Sequence, residues 1–121
     1  MAKSNLNAVI IEDDPKQGAI FKTVVEQAGF NVQLDETGKN YIKFMSSAPP
    51  ALVVVDMHLP YVTGPEIVDY VRANYRNAVI AVVTADIFTA KTLESKVDHV
   101  LIKPISVARL LNLAESVIDG M

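Results

Sequence analysis

The chain has no cysteine. Disulfides, thiol catalysis and thiolate metal sites are therefore excluded. It also lacks a basic excess: 11 Lys and Arg stand against 14 Asp and Glu, for a formal net charge of −3. Nucleic-acid binders usually present a basic patch or stripe, so no nucleic-acid partner is expected for this domain. Long apolar runs are missing as well. The opening residues MAKSNLN lead into an apolar run of only four. A signal peptide needs a longer stretch and a membrane span needs about 20 residues. A soluble, cytoplasmic chain with no membrane partner is the expectation. Linkers, repeats and low-complexity segments are also absent. What is present is a sequence of 121 residues, half of them hydrophobic. That is enough for one domain over 1–121 with a core of its own.

Short runs rich in β-branched residues predict strands near 7–12, 30–34, 51–56, 78–84 and 98–103. Three of these are continuously apolar, which suits strands covered on both faces of a parallel sheet. Helical patterns fill the gaps. Asp14-Pro15 reads as an N-cap followed by proline at the first helical position. Ile20, Val24 and Ala28 follow at a spacing of four, with Phe21 and Val25 beside them and Gly29 as the stop. Gly38 to Met45 forms a short second helix. A third begins at Gly64-Pro65 and carries Ile67, Val68 and Val71. The fourth, around Ile87–Ser95, is short. The fifth has Ser106 as N-cap and an apolar stripe from Val107 to Ile118. This βαβαβαβαβα order predicts an α/β fold, a single parallel sheet with helices on both faces. In such sheets ligands bind outside the C-terminal ends of the strands.

Four strand ends carry polar residues. AVII runs into Glu12 and Asp13, ALVVV into Asp56, AVIAVV into Thr84 and VLI into Lys103. Taken singly, each suits a turn, a cap or a solvated edge; together they define a candidate site. If the first and third strands are neighbours, Glu12, Asp13 and Asp56 crowd together, and three close carboxylates repel one another. A cation relieves that repulsion. Mg²⁺ prefers oxygen ligands, needs only one or two carboxylates and leaves room for water and phosphate. His58 and His99 are too far apart in sequence to form a local metal motif, and they read as loop and strand residues. An aspartate beside Mg²⁺ can act as a nucleophile toward phosphorus. Phosphoryl transfer asks mainly for positioning and for neutralisation of the equatorial oxygens. Mg²⁺, the Lys103 ammonium and the Thr84 hydroxyl are each suited to one of them.

The same segments resemble the receiver domain of two-component response regulators (the CheY-like family). VIIEDDP resembles its first strand with the acidic pair, and LVVVDMHLPYVTG its phosphoacceptor segment. VVTA and LIKP resemble its Thr-Ala and Lys-Pro pairs. The resemblance covers nearly the whole chain and implies a flavodoxin-like sheet of order 2-1-3-4-5. It also implies residue roles. Asp56 is the phosphoacceptor, with Thr84 and Lys103 as its catalytic partners. Glu12, Asp13, Asp56 and the backbone carbonyl of His58 hold Mg²⁺, and the backbone N–H of Ala85 meets the phosphoryl group. The Lys103–Pro104 bond is cis in the family.

A sensor histidine kinase or phosphotransfer protein is the implied donor. The implied output is a downstream protein or a homodimer, through helix 4, strand 5 and helix 5. Such a protein catalyses at most its own phosphotransfer and dephosphorylation. A degenerate receiver, acting as a phosphorylation-independent interaction module, is the alternative. A flavin protein would want a phosphate-cradling loop where EDDPKQ stands, and a haloacid-dehalogenase-like phosphatase would want an Asp at His58.

Two departures from the family concern output. Val100 occupies the place of the usual aromatic three residues before the lysine. Thr84 to Lys103 spans only 19 positions (103 − 84), so helix 4 is shortened. A loosely held Asp86–Asp98 segment and a switch without an aromatic rotamer change are expected.

Overall fold

A computed structural model describes residues 6–120. Five strands alternate with five helices: β1 Asn7–Ile11, α1 Pro15–Ala28, β2 Asn31–Asp35, α2 Tyr41–Ser47, β3 Leu52–Asp56, α3 Gly64–Asn74, β4 Val79–Thr84, α4 Ile87–Leu93, β5 His99–Ile102 and α5 Val107–Asp119. The strands form one parallel sheet in the order β2-β1-β3-β4-β5. This is the expected flavodoxin-like α/β fold, and α4 has only seven residues.

Strand alternation divides the core into two layers. Ala8, Ile10, Leu52, Val54, Ala81 and Val83 pack with Phe21, Val24 and Val25 of α1 and with Leu110, Leu113, Ala114 and Val117 of α5. Val9, Ile11, Val53, Val55, Ile80 and Val82 point the other way. They meet Tyr41 and Met45 of α2, Ile67, Val68 and Val71 of α3, and Leu93 of α4. The central strand β3 is buried at every residue. Its unbroken apolar run follows from having helices on both sides.

Local chemistry sets the helix starts. The Asp14 carboxylate accepts from Lys16 N–H and Ser106 Oγ from Arg109 N–H, as their N-cap positions require. At the head of α3 the Thr63 hydroxyl accepts from Glu66 N–H and donates to the Glu66 carboxylate, an N-cap written in the sequence as TGPE.

Two expectations are corrected. Helix α2 starts at Tyr41, not at Gly38. The reason is Asp35 at the end of β2, whose buried carboxylate accepts from the N–H groups of Thr37, Gly38 and Asn40 and from the Thr37 hydroxyl. This wraps 36–40 into a loop in which Gly38 takes φ +84°, a conformation that favours glycine. The second correction is Ile20, which is 49% exposed instead of lying on the core face. Gly18, Phe21, Val24 and Val25 form that face of α1.

Asp35 has a measurable consequence. Burial alone would raise its carboxyl, but the N–H groups of Thr37, Asn40 and Gly38, with the Thr37 hydroxyl, outweigh burial and hold it below the ordinary Asp value. A group lowered in the fold stabilises it above the unfolded pKa and loses that contribution as pH falls through the folded value. Asp35→Ala leaves the buried Gly38 N–H and the part-buried Thr37 and Asn40 donors without their acceptor and should cost about 3 kcal/mol at neutral pH. In urea titrations this difference should shrink steadily below about pH 4. A difference that persists undiminished into acid would assign the effect to lost packing.

Candidate functional site

Parallel pairing brings the polar strand ends to one edge. Ile11 pairs with Val55, so Glu12 and Asp56 end adjacent strands. Asp56 pairs with Val83 and Thr84 with Ile102, which brings Thr84 and Lys103 up on the other side. Two further backbone bonds extend the ladders to this edge: Met57 N–H donates to Val83 O (3.1 Å) and Lys103 N–H to Thr84 O (2.9 Å).

The site is acidic, largely buried and closed by one lysine. Glu12 is 1% exposed, Asp56 3% and Thr84 0%. Glu12, Asp13 and Asp56 each offer a carboxylate oxygen, and these oxygens lie within 4.8 Å of one another. Lys103 Nζ donates to Asp56 Oδ2 at 3.3 Å and lies 3.7 Å from Glu12 Oε1. Asp56 Oδ1 accepts from His58 N–H at 3.1 Å.

Glu12 carries the electrostatic strain. Burial, with hydrogen bonding to Asp56 and the Asp56 charge added, pushes its carboxyl up to about 8, against the opposing pull of Asp14 N–H and Lys103. Its Oε1 is buried without a hydrogen-bond partner. A buried carboxylate with one oxygen outside any hydrogen bond, grouped with Asp13 and Asp56, fits a divalent cation held by oxygen ligands. His58 is exposed in the loop after β3, and His99 is exposed on β5. Ala85 follows Thr84 in an exposed bend, and the Lys103–Pro104 bond is cis.

The loop after Asp56 is tightly closed. Gly64 N–H donates to Met57 O, and a Cβ on Gly64 would stand 2.8 Å from Met57 Cα. Only glycine fits there.

Asp86, which sequence reasoning passed over, joins the site to α4. Its N–H donates to Thr84 Oγ1 at 3.0 Å, and its carboxylate accepts from Phe88 N–H, Thr89 N–H and the Thr89 hydroxyl. The signal was available: Asp directly before an apolar helical run is an N-cap. Beyond it, Ile87 and Phe88 are exposed, Phe88 by 82%. Val100 is partly buried against the α2–α3–α4 layer.

Residues 8–115 match the response regulator receiver domain family. The transcriptional regulatory protein CusR of Escherichia coli K12 is 31% identical over 109 residues, covering 88% of this chain and 48% of that protein. The chain thus spans about half the length of such curated relatives. The polar-differentiation response regulator DivK of Brucella ovis is 24% identical over 115 residues, covering 91% of this chain and 94% of that one. Among solved structures, a CheY-like receiver domain from Methylobacillus flagellatus superimposes with a TM-score of 0.82 at 26% identity, covering 94% and 99% of the two chains. One from Methanospirillum hungatei reaches 0.86 at 19% identity, covering 97% and 96%; at that identity the likeness concerns the fold. The family match runs from the second residue of β1 into α5 and touches every element between: the chain belongs to the response regulator receiver domains of two-component signalling.

Proposed function

We propose that this domain is a phosphorylation-dependent switch that takes a phosphoryl group onto Asp56 from a histidine kinase or phosphotransfer protein. The observation that carries this reading is the Asp56 carboxylate itself. It sits at the end of an all-buried strand with a lysine ammonium at 3.3 Å and two further acids beside it. In the transfer a P–O bond to Asp56 forms as the P–N bond to the donor imidazole breaks, and the electron pair leaves on that nitrogen. The Lys103 ammonium offsets charge on the phosphoryl oxygens, and the Ala85 N–H and Thr84 hydroxyl donate to them. Glu12, Asp13, Asp56 and the His58 carbonyl would hold Mg²⁺, which when bound supplies positive charge beside the phosphoryl oxygens. Water later hydrolyses the acyl phosphate.

Output follows from Thr84. Its hydroxyl accepts from Asp86 N–H, so a hydroxyl drawn toward a phosphoryl group carries the N-cap of α4 with it. Val100 is stiff about χ1 and takes no part as a rotamer switch. Ile87, Phe88 and Ile102 expose apolar surface on the α4–β5 side. That surface, continued onto α5, is where a downstream protein or a second copy would bind. No helix among the described residues is long and apolar enough to cross a membrane; a cytoplasmic location follows from the proposed donor.

Intact-mass measurement after incubation with acetyl phosphate tests the reading. One phosphoryl group should be gained with Mg²⁺, and none in excess chelator or in Asp13→Ala. A wild-type protein that gains nothing with Mg²⁺ would turn the reading to a phosphorylation-independent interaction module.

A further inference from the structure

The two ends of α4 are fastened differently. At its start, Asp86 hangs from one rotatable hydroxyl, that of Thr84. Along its length only Ala90 and Leu93 are buried. Beyond its end, the chain is tied to α3 by a charged knot. Arg72, in the last turn of α3, donates from Nε to Lys96 O (2.8 Å) and from Nη1 to Ala78 O (2.8 Å) and Arg76 O (3.4 Å). Its Nη2 donates to Asp98 Oδ2 (2.7 Å). Asp98 Oδ2 also accepts from Ile80 N–H, while Asp98 N–H donates to Ile80 O. The Lys96 N–H closes a turn onto Leu93 O. One planar guanidinium thus joins the end of α3, the entry to β4, the α4–β5 turn and the entry to β5. A rigid fork with this many acceptors holds one geometry. The neighbouring Lys96–Asp69 pair is exposed and adds little. Burial would raise the Asp98 carboxyl, but Ile80 N–H and Arg72 overcome that and hold it below the ordinary Asp value. These contacts argue against the expected looseness at the Lys96–Asp98 end of the Asp86–Asp98 segment.

We propose that the Arg72 knot is the fixed pivot of the switch: α4 swings at its Asp86 end, carrying Ile87 and Phe88, while Lys96–Asp98 stay in place. The inference rests on the phosphorylation reading. It adds that the shortened helix moves as a lever and that the entry to β5 does not follow. A ligand shifts an element only through contacts that differ between its two states, and of the two ends of α4 the Asp86 end is the one bonded to a site residue.

Residue-resolved hydrogen exchange on the full chain, with and without beryllofluoride and Mg²⁺, tests the pivot. In the wild type, exchange at residues 84–92 should change on the order of tenfold, and exchange at Lys96, Val97, Asp98 and Ile80 should stay level. Arg72→Gln, without beryllofluoride, should speed exchange at 94–98 and Ile80 on the order of tenfold and leave 84–90 as they were. With beryllofluoride its changes should spread from 84 to 98. Wild-type changes of equal size at 84–92 and 96–98 would overturn the pivot alone. A wild type in which beryllofluoride changes nothing would overturn the phosphorylation reading and the pivot with it. Should Arg72→Gln fail to fold, the wild-type comparison still decides.

Discussion

Asp56→Asn should abolish labelling by any small phosphodonor while the protein stays folded. An amide has no anionic oxygen to attack phosphorus, and no other carboxylate has the same setting. Glu12 is held up chiefly by its own burial, which the substitution leaves in place, and Asp13 is exposed. The fold should tolerate the change because Asn is nearly isosteric. The lost Lys103 contact is offset by removing one of the acids that crowd Glu12. Stability by urea titration should stay within about 1 kcal/mol of wild type. The checks are intact mass after acetyl phosphate and a denaturation curve on the same sample. Full labelling of Asp56→Asn would move the acceptor elsewhere.

Lys103→Ala and Thr84→Ala separate two roles. Lys103 brings a full positive charge to Asp56, and no other basic side chain among the described residues pairs with Glu12 or Asp56. Its loss should slow phosphotransfer by about 10²–10³-fold, the scale seen when one preorganised donor is removed from a transition state. Thr84 contributes only a hydroxyl. Thr84→Ala should be labelled within about tenfold of the wild-type rate, since a neutral hydrogen bond is the weaker contribution. It should nevertheless lose the exchange response at 84–92, because Asp86 N–H no longer has the hydroxyl to follow. Single-turnover labelling and hydrogen exchange read the two effects. Equal and complete loss of labelling in both variants would refute the division.

The sheet and its edge were legible because they rest on short-range rules. Continuous apolar runs mark covered strands, and Asp14-Pro15 and Ser106 mark helix starts through the very N–H groups they accept. Asp35 and Arg72 were harder for a common reason. Each acts on backbone groups whose location only the closed fold supplies. Asp35 looks like an ordinary acid after a strand until 36–40 wrap around it. Arg72 looks like a solvated helix residue until it meets carbonyls from positions 76, 78 and 96. Ile20 misled because periodicity marks a stripe on a helix but not how far its neighbours cover it. Helix α5 covers Phe21 and Val24 and leaves Ile20 at the margin.

The strand order also governs when the site can come into being. Its acids end β1 and β3, neighbours in the middle of the sheet, whereas its lysine ends β5, a four-residue edge strand and the last to be synthesised. Where β1 pairs with β3 before β5 docks, Glu12 meets Asp56 without the Lys103 ammonium. The pairing of β1 with β3 is then opposed by like charge and is relieved only by proton uptake at Glu12, by a bound cation or by the arrival of β5. Docking of β5 would then supply the missing positive charge, so the electrostatic closure of this edge belongs to completion of the sheet and not to its first strand pair.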